Sequence, residues 1–488
     1  MTKPTQRIVG AAIFAVLLIV SALALLRYPG STAIFILFDF SFLAMLLLAL
    51  LQPRAYAYIF FSAMLFLGFW LKLMVNMLAN IDFLEPVGEF TGSAEQWDRA
   101  LLVASIGAIG IVCARVLHLF VTARVSFLDA IDNPARNIPW WYFQFRKSIW
   151  VTSNLLMISL NVVNLQTAFY QTGVNPKLVL PAHLNVPLAW LINIGFALWF
   201  AVLIHWDWKS KPNTLTNNLL VPIFEALISS ISTISRSLYI LHATPYLLAF
   251  AEKWQSMRTT LVKRARTSLL VLCVLCFLVS LICVSWLRIN VYMLGYDTVF
   301  VTVGSQNEIK KAPIPSATID DQVQQVIKLI VWRWIGLEGV LAVSSHSNLG
   351  SNLFLNAIRE DPNKGNNSLY QLISKRLSYP KSERFTFLTL PGIIAVLYYS
   401  GSLLIVFAGM IFVLLLMLAT EWVTLRCTGN PFLQSIVSMA MANVVCQLNF
   451  PYLALIFFLQ LWVAIFFIWA LHATTACSDP KPGHYNID

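Results

Sequence analysis

The chain has 488 residues, of which 58% are hydrophobic and only 11% charged, and its formal charge is +11. A soluble domain carries about 25% charged residues, so this balance, with a mean hydropathy of +0.73, excludes an ordinary soluble protein and predicts an all-α polytopic membrane protein. The surplus of Lys and Arg then reports topology rather than nucleic-acid binding, because cations collect in cytoplasmic loops.

Residues 8–26, 31–51 and 55–80 are apolar runs near the ~20 residues that cross hydrocarbon. MTKPTQR ahead of the first run has the charge of a secretory leader, but further spans follow at once, which predicts a retained first helix. With Lys3 and Arg7 inside, the loop 81–98 falls outside; it holds Asp82, Glu85, Glu89, Glu95 and Asp98 and no Lys or Arg. A span near 99–121 returns to a loop with Arg124, Arg136, Arg146 and Lys147. Spans near 148–170 and 184–205 lead to the basic WDWKSKPN, as the positive-inside rule requires.

Residues 218–252 are one nearly unbroken apolar stretch. As a single helix it would measure roughly 52 Å, against a hydrocarbon core of ~30 Å, and one crossing would strand Lys253, Arg258, Lys263, Arg264 and Arg266 outside. The stretch is therefore expected to split near Ser235–Arg236. A ninth span at 268–288 precedes a polar region too long for a simple connection. Three parts are expected: a transmembrane bundle of about nine spans over 1–288, one large external loop domain over 289–385, and the last spans with a cytoplasmic tail over 386–488. The total is about twelve spans, with the loop between the ninth and tenth.

Ionisable groups at membrane depth cost a few kcal/mol and need partners. Asp39 and Lys72 lie on adjacent antiparallel spans and could neutralise each other or line a substrate path. Arg115 sits near a span end, where its guanidinium could snorkel to water. Glu225, Arg236 and His242 share the overlong stretch. Arg236 keeps its proton at any relevant pH, so it must meet an anion or water: either Glu225, in a bridge between two helices, or a polyanionic substrate at the external face. Cys273 and Cys276 form a CxxC inside an apolar run and read as small helix residues, not as a redox or metal site.

The stretch RWIGLEGVLAVSSHSNLG, 333–350, breaks the apolar pattern. Ile327, Ile330, Val331, Trp334 and Leu337 recur at helical spacing, which predicts a helix that ends at SSHSNLG. Arg333 and Glu338, five apart, do not share an i,i+4 face. A fixed cation, a carboxylate and an imidazole (His346) thus meet beside the membrane: arginine binds phosphate in bidentate fashion, and a carboxylate or neutral histidine can act as general base.

FEALISSISTISRSLYILH, RWIGLEGVLAV and FLTLPGIIAVLYYSGSLLIVFAGMIF resemble segments of the bacterial Wzy-type oligosaccharide repeat-unit polymerases, over about residues 218–470. The resemblance implies a GT-C-like fold in the bacterial inner membrane with the active site facing the periplasm. The implied reaction joins undecaprenyl-pyrophosphate-linked oligosaccharides, donor and acceptor, with inversion and no metal or other cofactor; a chain-length regulator is an implied partner. Carried over, Arg236, Arg333 and Arg359 would hold the diphosphate, Glu338 or His346 would be the base, and Glu225 and His242 would support them. The family's arginine, ten residues, glycine pattern is not met from Arg333, since position 344 is serine. Two rivals remain: an O-antigen ligase with the same donor, and a lipid-linked oligosaccharide flippase or transporter. Two similar halves would mark the last of these, and none is legible.

Overall fold

The computed structural model describes residues 3–51, 55–80, 83, 85–124, 138–173, 176–210, 218–254, 260–293, 299–301, 310–312, 334–361, 368–375 and 390–476. It is a helical, membrane-embedded bundle in which eight helices are long and apolar enough to cross a bilayer among the described residues. In chain order these elements are α1 (Lys3–Leu25), α2 (Thr32–Leu51), α3 (Tyr56–Ala79), α4 (Ala94–Arg124), α5 (Trp140–Thr167), α6 (Ala182–Ser210), α7 (Leu220–Ser232), α8 (Arg236–Trp254) and α9 (Thr260–Met293). A short antiparallel pair follows, β1 (Val299–Val301) with β2 (Lys310–Ala312), register Phe300 to Lys311. Then come α10 (Leu337–Ser344), α11 (Ser351–Arg359), α12 (Leu369–Ile373), α13 (Ile393–Tyr398), α14 (Leu403–Thr428), α15 (Pro431–Cys446) and α16 (Pro451–Ala476).

The expected break in the overlong stretch is present: α7 ends at Ser232, Ile234 takes a left-handed conformation (φ 53°), and α8 begins at Arg236. Of the helix predicted through 324–343, residues 324–333 lie outside the described residues. The described part is helical over Leu337–Ser344, and ahead of it the non-helical Ile335 and Gly336 lie against the backbone of α3 at Gly68.

The centre of the bundle is α15. Every residue of it except Asn443 and Val444 is buried, between α3, α6, α8, α14 and α16. A helix wrapped on all sides needs no lipid-facing stripe, so it tolerates Gln434, Ser435 and Ser438. Peripheral helices behave oppositely. On α9, Val271, Val274, Leu278 and Ile282 are exposed while Leu269, Cys273, Cys276, Ser280 and Val284 are buried, each set at three- or four-residue spacing. The first set is a lipid face, and the CxxC cysteines are free thiols on the packed face.

Lipid is as apolar as leucine, so burying apolar surface between helices gains little in a membrane; tight packing and polar ties hold the bundle instead. On α4, Gly110 lets α14 lie close: a Cβ there would come within 2.8 Å of the Phe407 carbonyl oxygen. At the end of the bundle that carries the 26–31 turn, Tyr28 donates to Asp98 (2.8 Å) and Arg27 to the Leu78 carbonyl (2.6 Å). There too the Gly88 amide donates to the Ser374 carbonyl and Lys375 meets Glu89 at 3.3 Å.

Candidate functional site

The segment singled out by sequence is inserted into the bundle. All eight residues of α10 are buried, against α4 and α13. Three glycines make the insertion possible: a Cβ at Gly339 would overlap the Pro391 carbonyl oxygen, and Gly68 of α3 and Gly336 close on each other's backbones in the same way. Glu338, in the first turn of α10, accepts on both carboxylate oxygens from the Lys72 ammonium, 2.5 Å from each. The two side chains are 5% and 2% exposed.

This corrects the expected Asp39–Lys72 pair. Asp39 instead accepts from Ser21 Oγ (2.6 Å) and Trp70 Nε1 (2.7 Å). Positions two apart on a helix do not share a face. With Trp70 turned to α2, Lys72 points inward to Glu338. It follows directly on a π-helical turn, Phe66–Leu71, a feature frequent at functional sites.

At the far end of α10, His346 is half-buried and its backbone amide donates to the Val343 carbonyl (3.1 Å). Arg99 of α4 reaches the Ser344 carbonyl at 3.5 Å. Arg359, at the end of α11, is exposed. Next to it Glu360 accepts from the Leu369 amide (2.6 Å), and partial burial outweighs that bond and raises its carboxyl above the usual range. Arg333 lies outside the described residues. The sequence signal therefore gathers Glu338 and His346 on one inserted helix, while Arg236 stands elsewhere, half-buried at the start of α8.

Arg236 is not the partner of Glu225, which corrects the bridge reading. Glu225 lies seven residues before the end of α7 and His242 six after the start of α8. Equal depth from a tight turn sets these two opposite each other in an antiparallel helix pair. His242 Nδ1 is 3.0 and 3.1 Å from the two Glu225 oxygens, and both side chains are fully buried. His242 Nε2 is 2.8 Å from the Asn193 carbonyl oxygen. Asn193 belongs to a second π-helical turn, Leu191–Gly195 in α6, and Ser229 Oγ donates to Glu225 (2.9 Å).

Two polar ties were missed by sequence reasoning. Glu421 of α14 accepts from the Tyr56 and Ala57 amides (2.9 and 2.8 Å) that open α3 and from Gln434 Nε2 (2.7 Å). A carboxylate here meets the positive end of the helix dipole. Asp207 of α6, fully buried, takes a two-pronged contact from Arg146 of α5 (2.6 and 2.7 Å) and further bonds from Tyr142 and Asn218. Arg115 does not snorkel: it is 2% exposed and lies over the Tyr58 ring at 5.1 Å. The signal was available in EW and HWDW, where single acids close apolar runs, but their partners lie far along the chain.

Two substitutions test these ties. Glu421→Ala orphans two helix-opening amides and one carboxamide, and is expected to lower stability by roughly 2–4 kcal/mol, a buried unmade hydrogen bond being worth about 1–3. Asp207→Asn keeps the shape but removes the charge facing Arg146, for an expected loss of about 1.5–3 kcal/mol. Reversible unfolding of the nanodisc-held protein in SDS mixtures measures both.

The fold and these buried pairs define a polytopic membrane protein with charged side chains paired inside its helical bundle. Comparison with known proteins found no matching family model, no similar curated protein and no similar solved structure.

Proposed function

We propose that the protein is a membrane glycosyltransferase that joins undecaprenyl-pyrophosphate-linked oligosaccharide repeat units into a surface polysaccharide. It crosses the bacterial inner membrane about twelve times, works on the periplasmic side, and uses neither metal nor other cofactor. One observation carries the reading: the helix bearing Glu338, with His346 just beyond it, is packed into the bundle between α4 and α13 rather than left in a solvated loop. Burial of a charged, glycine-rich segment is what a site needs if it must hold reacting groups in fixed geometry and exclude water.

In the proposed reaction a base takes the proton of the acceptor sugar hydroxyl. Its oxygen attacks the donor anomeric carbon from the face opposite the diphosphate. The bond from that carbon to the diphosphate oxygen breaks, and guanidinium groups meet the charge that develops on the leaving group. Arg236, Arg333 and Arg359 are the proposed clamp. Lys72 occupies both oxygens of Glu338, so the half-buried His346 is the more accessible base. That same observation favours a second reading, an O-antigen ligase, in which an external histidine is the base and the acceptor is the lipid A core. The π-helical turns of α3 and α6 both fall in the first half of the chain, so they supply no match between halves in support of a transporter.

The test is the glycan ladder from a strain lacking the gene and complemented with wild type, Arg236→Ala, Arg333→Ala, Glu338→Ala or His346→Ala, with membrane levels checked alongside. The polymerase reading expects single repeat units on the lipid core from a well-expressed inactive variant. Polymer held on undecaprenyl pyrophosphate with a bare core identifies the ligase, and an unchanged ladder from every variant refutes both.

A further inference from the structure

The Glu225–His242 pair has features that a plain helix tie does not need. The Asn193 carbonyl can only accept, so His242 Nε2 carries a hydrogen. Nδ1 faces both Glu225 oxygens, and this contact is favourable only with one proton between the two groups. Whether that proton rests on the carboxylate or makes the ring an imidazolium, the pair is neutral overall. Without it, a buried carboxylate confronts the lone pair of a neutral ring. Beside the pair lies a cavity of about 30 Å³ between α6, α8, α15 and α16, whose polar lining is Asn193, His242 and Asn443. At least about 10–15 Å³ of such space is needed to hold one water, so there is room for water here. Asn443 is one of the two residues of α15 left unburied.

We propose that Glu225 and His242 form a proton-binding site, in which one exchangeable proton is held between two buried side chains and reached by water through the cavity at Asn193 and Asn443. The ligand is the proton itself, delivered by water. Few other titratable groups face the pair. From α8, Tyr246 lies near Glu225 and donates its hydroxyl to the Ala197 carbonyl (2.5 Å). The other groups set against it are neutral: Ser229 on α7, the Asn193 carbonyl on α6, Asn443 on α15 and, behind α7, Asn161 and Asn164 on α5. Tyr239 of α8 donates to the Cys273 carbonyl of α9 (2.8 Å), and Cys273 and Cys276 are the nearby thiols. With no competing charge among these, the proton load of the pair decides whether α7 and α8 attract or repel at that depth. The inference stands on this geometry and is independent of the glycan chemistry proposed above.

The experiment uses the full chain in nanodiscs, labelled with ¹⁵N-histidine, with the His242 signals assigned by their loss in His242→Gln. Between pH 5 and 9 the Nδ1 signal is expected to move in one single-proton step, and Glu225→Gln is expected to shift that step by at least tenfold in proton concentration. Asn443→Leu fills the cavity while leaving the pair intact, and should slow solvent exchange of the Nδ1 proton at least tenfold. An Nδ1 signal constant from pH 5 to 9 would make the pair a fixed structural bridge and overturn the proposal. So would exchange in Asn443→Leu as fast as in wild type, and that arm remains decisive if the Glu225 variant does not fold.

Discussion

Lys72→Met is expected to destabilise the protein by about 3–5 kcal/mol, because it leaves the Glu338 carboxylate buried without its counter-charge. Neither side chain can relax into water, since the pair is nearly closed off. The sign reverses when both members go. Lys72→Met with Glu338→Leu replaces a buried ion pair by apolar groups, a change that is often neutral or stabilising. This double variant therefore separates two roles of Glu338. Folding near wild-type stability with a lost glycan ladder means the carboxylate serves the reaction. Folding with an intact ladder means it serves only the helix tie, and His346 alone remains as the proposed base. Unfolding in SDS mixtures and glycan gels from the same membranes give both answers.

The second large effect is steric. Gly339→Ala is expected to cost about 1–3 kcal/mol or more, in the range of overpacked cores. The added methyl has only the Pro391 backbone to push against, and a backbone carbonyl cannot rotate away as a side chain does. Displacing α10 also draws Glu338 from Lys72, so this variant should lose the glycan ladder along with stability. Gly350→Ala is the control: no atom lies within 4 Å of the added carbon, its backbone is extended (φ 162°), and stability should change by less than about 0.5 kcal/mol. Equal effects from the two substitutions would show that α10 is not wedged as described.

Much of the architecture was legible because a bilayer imposes its rules locally. Hydrocarbon thickness limits helix length, so the overlong apolar stretch had to break, and it breaks between Ser232 and Arg236. The buried cysteines of α9 and the end of α10 at Ser344 likewise follow from neighbours a few residues away. The candidate site was legible in part. Glu338 and His346 were singled out because a carboxylate and an imidazole interrupt an apolar, glycine-marked run, and the inserted α10 carries the first and leads straight to the second.

The partners of those charges were not legible. Lys72 and Glu338 are 266 residues apart, and Glu421 and the start of α3 lie 365 residues apart. Adjacent spans suggested Asp39 for Lys72, yet the facing of one helix, with the buried Trp70 turned to Asp39 on α2, sent the lysine the other way. Proximity in sequence suggested Arg236 for Glu225, yet depth below the turn selected His242. Hydropathy and length thus determined which segments are helices and where they end, since both act along the chain against the thickness of the bilayer. Which face each helix turns inward, and so which charge neutralises which, was decided only by the tertiary structure, because rotation and depth are settled by packing between segments that the sequence holds far apart.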